Sequence, residues 1–197
     1  MRRLAALATL AAALALLGAG CGSSGGSGAV PAVVRAPPQQ ATLGWEETYP
    51  AEQPALVFGV RSFSVTSTGW AADISVENRS DVGWEVGDQR LEAGLQFGVM
   101  LFPDDDLQAL EGRNRRGDLP GIRQATSYRP ALPSVLRPGS TWRGTISAPG
   151  ALAGGLWVRI SFGPFVSVSA PPAGAASPVV WFTDHAYRLT EVAAEPA

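Results

Sequence analysis

The chain of 197 residues contains no lysine, one cysteine (Cys21), one histidine (His185) and two methionines, of which Met1 is one. Each shortage closes a class of chemistry. One cysteine allows no intramolecular disulfide, so the folded part must be held by its core alone. Zinc wants several His or Cys ligands and copper carriers want His and Met clusters, and neither set can be gathered within this chain. A nucleophilic triad would have to be built on His185, whose neighbour Asp184 would point to the opposite face of a strand and leave the ring unoriented. The literal G-x-S-x-G at 22–26, "GSSGG", sits in a Gly/Ser run rather than at a strand-to-helix elbow. Two carboxylates can run glycoside hydrolysis without histidine, with Glu77, Glu85 and Asp88 as candidates, but only their separation in space decides that. No catalytic residue is assigned, and the expectation is a non-catalytic protein without a cofactor.

Long apolar runs are also scarce, and the one present is informative. Two arginines precede an uncharged stretch at 4–17, and small residues then lead to Cys21, the layout of an export signal. At ~14 residues the stretch falls short of the roughly 20 that a bilayer-spanning helix needs, which favours removal over retention. With Ala19 and Gly20 before Cys21, the segment resembles a bacterial lipoprotein signal, although Gly18 stands where that pattern usually has Leu, with Leu17 one place earlier. The resemblance implies that Cys21 is lipidated with a diacylglyceryl group and becomes the first residue of the mature chain. The alternative is an ordinary secretory signal cut after Ala19 or Gly20, leaving Cys21 a free thiol.

The expected organisation is a signal peptide at 1–20, a lipidated Cys21 with a flexible Gly/Ser/Pro tether at 21–54, a folded domain at 55–190 and a loose tail at 191–197. Without Arg2 and Arg3 the remaining 13 arginines face 17 acidic residues, a formal charge of −4. That balance suits no nucleic acid, whose binding depends on neutralised phosphates. An all-arginine basic set with heavy Ala, Gly and Pro usage is that of a GC-rich bacterial coding sequence. The expected location is the extracytoplasmic face of the cell membrane. The expected partners are the membrane, through the anchor, and an envelope protein or polysaccharide.

Beyond the tether the pattern has period two. "GWAADISVEN" alternates Trp70, Ala72, Ile74 and Val76 with polar or small residues, and "VGWEVG" continues with Val82, Trp84 and Val86, so the two read as an antiparallel hairpin around "NRSD". Leu95, Phe97, Val99 and Leu101 share a face, as do Trp142, Gly144 and Ile146, and Leu156, Val158, Ile160 and Phe162. "VVWFTDHAYRL" is the last strand. One helix is expected in "DDLQALEG", with Asp105 as N-cap and Gly112 as stop. About seven short strands between Gly, Pro, Asn and Ser turns predict an all-β antiparallel sandwich with one short helix in a long loop, a small barrel being the alternative. The sequence "VENRS" with the later turn "LRPG" and the strand after it is similar to the Ig-like, telokin-like domains of bacterial secreted lipoproteins. That resemblance implies an extracytoplasmic binding or accessory module and transfers no catalytic residue.

Three features are candidates for a working surface. Asp104, Asp105 and Asp106 lack the alternating spacing of a calcium loop, so helix capping competes with an ion there. Arg113, Arg115 and Arg116 form a basic loop that reads either as docking to anionic envelope lipid or polymer, or as charge neutralised by nearby carboxylates; the Arg-Gly-Asp at 116–118 belongs to it. Trp70, Trp84 and Trp142 are in phase with core faces. Trp157 and Trp181 are out of phase with their apolar neighbours, so with Arg159 they would form an outer aromatic surface suited to sugar stacking or protein docking. The alternative is a face covered by residues 103–130.

Overall fold

The computed structural model describes residues 34–87 and 94–191; the signal peptide, Cys21, the first part of the tether, Asp88 and most of the C-terminal tail lie outside them. The strands are β1 (Gln39–Tyr49), β2 (Leu56–Val65), β3 (Gly69–Asn78), β4 (Trp84–Val86) and β5 (Gly98–Phe102), followed by the helix α1 (Leu107–Arg116). Then come β6 (Arg123–Gln124), β7 (Ser127–Arg129), β8 (Val135–Leu136), β9 (Thr141–Pro149), β10 (Trp157–Ser167), β11 (Val179–Phe182) and β12 (Tyr187–Arg188). They form two antiparallel sheets packed face to face, the expected all-β sandwich with one short helix.

The first sheet runs β1-β2-β3-β9-β7. The second is organised on β10, which pairs β5 and then β4 along one edge and β12 and then β11 along the other. Alternation explains the packing. Trp70, Ala72, Ile74 and Val76 of β3 face Val158, Ile160 and Phe162 of β10 within one core, and all are at most 4% exposed. At its centre Phe58 lies 5.0 Å from Phe162 and 5.7 Å from Phe165, with Phe97 edge-on to both. Such pairs add about 1 kcal/mol each beyond the area they bury.

Three expectations are corrected. The folded body starts earlier than residue 55, because 39–49, placed in the tether, form β1, paired with β2 over its whole length. The hairpin across "NRSD" does not form: β3 stays in the first sheet between β2 and β9, and β4 enters the second. Asn78, fully buried, makes that crossing. Its Nδ2 donates to the carbonyls of Val82 and Leu136 at 2.7 and 3.0 Å, and its Oδ1 accepts from the backbone and hydroxyl of Ser80. Four bonds replace the turn geometry that a hairpin needs, and "VENRS" meets "LRPG" at this one corner. The helix begins and ends later than expected. Asp106 rather than Asp105 is the N-cap, accepting from the amides of Gln108 and Ala109, and Gly117, with φ +70°, is the C-terminal cap. Gly112 is carried inside the helix, at a cost of about 1 kcal/mol against Ala.

Candidate functional site

The two faces of β10 point to different surroundings. Val158, Ile160 and Phe162 point into the sandwich, while Trp157, Arg159 and Ser161 point away from it and are roofed by α1 and the segments beside it. Under this roof Met100, Phe102 and Leu110 form a second, small core, with Trp157, Phe182, Leu119 and Ile122 packed on it. Trp157 is thus half-buried beneath the 103–130 segment, the alternative reading of that residue. Arg159 is 1% exposed. Its guanidinium donates to the carbonyls of Thr183, Asp184 and Asp105 and lies over the ring of Phe102, so it ties the start of the helical cover to the end of β11. Its Nε and the hydroxyl of Ser161 are buried without a partner among the described residues.

Trp181 does not join Trp157 on an outer face. It lies opposite Phe162 across the β10–β11 pair, so it points inward, stacks on Phe58 at 5.6 Å and donates from Nε1 to Glu47 at 2.8 Å. The outward residues of β11 are Val180 and Phe182. Glu47, 8% exposed, is the buried carboxylate that the sequence does not announce. It sits on the inward face of β1 and accepts from Trp181, from the amides of Asp184 and His185, and pairs with His185 Nδ1 at 2.9 Å. His185 also stacks on Trp45. The imidazole is therefore oriented by Glu47 rather than by Asp184, and among the described residues no hydroxyl bonds to its ring. Thr183, the nearest in sequence, spends its hydroxyl on the carbonyl of His185.

Between α1 and β11 lies an open hollow of about 350 Å³ lined by Leu107, Leu110, Glu111, Asn114, Val180 and Trp181, with Asp184 on its rim. The helix contributes positions i, i+3, i+4 and i+7, one face of its turns. Leu107 is 44% exposed at the mouth. An adjoining hollow of about 270 Å³ shares Asn114, Val180 and Phe182 and reaches Met100, Ile122 and Ser161. The Asp184 carboxylate makes no hydrogen bond or ion pair among the described residues. Although Asp184 itself is exposed, partial desolvation of its carboxyl at the rim foremost, and next the carboxylate of Glu47, push it above the usual aspartate range, against the pull of Arg159 and His185. A second basin, about 390 Å³, lies on the first sheet between Glu46, Arg61, Asp73 and Arg143; there Asp73 is already held by Thr145 and Ser62 at 2.6 and 2.8 Å.

The basic loop is the end of α1. Arg113, Arg115 and Arg116 occupy its last turn, where positive charge favours the helix dipole. Arg115 faces Glu111 at 3.8 Å and Arg116 pairs with Asp118 at 3.2 Å, so the Arg-Gly-Asp tripeptide is a helix cap closed on itself. Among the described residues no group of three or more His, Cys, Asp or Glu is arranged to hold a metal, and no helix is long and apolar enough to cross a membrane. Comparison with protein-family models, with curated proteins and with solved structures finds no match to this chain.

Proposed function

We propose that the protein is a lipid-anchored, extracytoplasmic binding module of the bacterial cell envelope, non-catalytic, whose ligand enters the groove between α1 and β11. The observation that carries this reading is the groove itself: an open, mostly apolar hollow between α1 and β11, with a large apolar side chain exposed at its mouth and charge confined to its rim. Volumes of about 300–1,000 Å³ with few polar groups are the ordinary form of small-ligand sites. The meeting of "VENRS" and "LRPG" at the Asn78 corner supports kinship with Ig-like, telokin-like lipoprotein domains. Sugar stacking draws less support, because Trp157 lies beneath α1 and Trp181 packs against Phe58.

Two experiments test the reading. Changing Cys21→Ser should move the protein from the membrane to the soluble fraction, and the wild-type N-terminal peptide should carry the mass of a diacylglyceryl group; an unmodified Cys21 in that peptide overturns the anchor. A photo-crosslinking residue at position 107 should trap a ligand on living cells that the same residue at exposed Arg129, on the other sheet, does not. Equal labelling from both positions removes the groove.

A further inference from the structure

The walls of the groove specify a ligand class, an inference that rests on the binding-module reading above. Its middle is apolar: Leu107, Leu110, Val180 and Phe182 offer dispersion contacts and no hydrogen bonds. Its outer end is acidic. Asp184 and Glu111 both line the hollow, and no cationic side chain does. Arg159, the nearest buried cation, is held by three carbonyls, His185 is turned to Glu47, and Arg115 reaches Glu111 only at the solvent side, where both side chains are more than two-thirds exposed. The exposed carboxylate of Asp184 makes no hydrogen bond or ion pair among the described residues, and Glu47 and Glu111 oppose its charge while Arg159 and His185 attract it. The inner end is a hydrogen-bonding point: Ser161 is fully buried and lines the adjoining hollow, and its hydroxyl has no partner among the described residues. A buried hydroxyl left without a partner costs about 1–3 kcal/mol, so a ligand oxygen arriving there is favoured.

From these three points we infer that the groove binds a small linear amphiphile with an ammonium head, seated at Asp184 and Glu111, an apolar body along Leu107, Val180 and Phe182, and an oxygen at the far end that meets Ser161. A small molecule fits better than a protein surface, because stable protein interfaces bury about 1,200–2,000 Å² and the site is a pair of narrow hollows. The cation is selected by charge complementarity, since both carboxylates attract it and an anion would meet two like charges.

The test uses the full-length chain with labelled methyl groups and four probes: octylammonium, octan-1-ol, octanoate and 8-aminooctan-1-ol. Octylammonium should shift the methyl resonances of Leu107, Leu110 and Val180 and bind more tightly than octan-1-ol, with octanoate weakest. Asp184→Asn and, separately, Glu111→Gln should each weaken the two ammonium probes by roughly tenfold and leave octan-1-ol unchanged, as the loss of a charge-assisted contact requires. The amino alcohol should bind several-fold more tightly than octylammonium, and Ser161→Ala should erase that gain. Octanoate binding as tightly as octylammonium, or an ammonium preference that survives both carboxamide variants, overturns the cation assignment while leaving a binding groove in place. No methyl shift with any probe overturns the groove and, with it, the binding-module reading.

Discussion

The inward and outward faces of β10 are built from the same alternating strand, yet they differ in how completely their atoms are used. Inward, the side chains of Val158, Ile160 and Phe162 are at most 1% exposed and wholly apolar, and they belong to the same core as the inward residues of the first sheet. Outward, Arg159 and Ser161 are as deeply buried but leave two polar atoms without partners, and the helix above them leaves hollows of about 350 and 270 Å³. The inward face maximises packing, which is what stability demands. The outward face tolerates unmatched polar groups and open space, the features on which the proposed groove depends.

Substitutions on the two faces should therefore separate. Phe162→Ala removes a ring that touches Phe58 and Phe97 at the centre of the sandwich, so the loss should be the largest, about 4 kcal/mol by urea unfolding. A loss below about 1 kcal/mol would mean that the inward face is looser than its burial implies. Arg159→Met comes next, at about 2–3 kcal/mol, because the carbonyls of Thr183, Asp184 and Asp105 lose their shared donor while the apolar stem is kept. Its second readout is local: amide exchange should quicken over the start of α1 and the end of β11, which this guanidinium ties together, and not in β3.

Asp184→Asn should act through pH rather than packing. Because the folded-state pKa is raised, the native state binds more protons than the unfolded chain between the ordinary aspartate value and the raised one. Stability then falls as pH rises through that window, the penalty being full above it and absent below the unfolded value. The variant's midpoint temperature should exceed the wild type's at neutral pH, and the gap should close as the pH falls through the window. A constant gap at all pH values would assign the effect to packing instead.

Much of the inward face is legible in sequence, and little of the outward one is. The runs through Trp70–Val76, Trp142–Ile146 and Leu156–Phe162 alternate because one side meets the core and the other does not share its chemistry, so their phase can be read directly. β1 hides because two of its inward positions are Gln39 and Glu47, whose side-chain oxygens are met by residues about 140 positions away: Tyr187 and Thr190 for the first, Trp181, Asp184 and His185 for the second. β11 misleads for the opposite reason. Val179 and Trp181 enter the main core while Val180 and Phe182 meet the helical cover, so both faces are apolar and no alternation remains to orient Trp181. The groove has no signature along the chain because α1 and β11 are joined only by the fold. In a run of three aspartates, spacing alone does not choose the N-cap, and backbone geometry selects Asp106.

The smallest effect tests the comparison most sharply. Removing a core hydroxyl normally destabilises a protein, because its partner is left unsatisfied. Ser161 has no such partner among the described residues, and it lines a hollow. Ser161→Ala should therefore leave stability unchanged or raise it, relieving part of the about 1–3 kcal/mol that the unmatched hydroxyl costs, although the residue is fully buried. The matched change on the inward face, Ile160→Val, deletes one methylene from close-packed surroundings and should cost about 1 kcal/mol. If urea unfolding instead ranks Ser161→Ala as the more damaging of the two, the hydroxyl is holding the fold, and the outward face of β10 is core like the inward one rather than a site kept open.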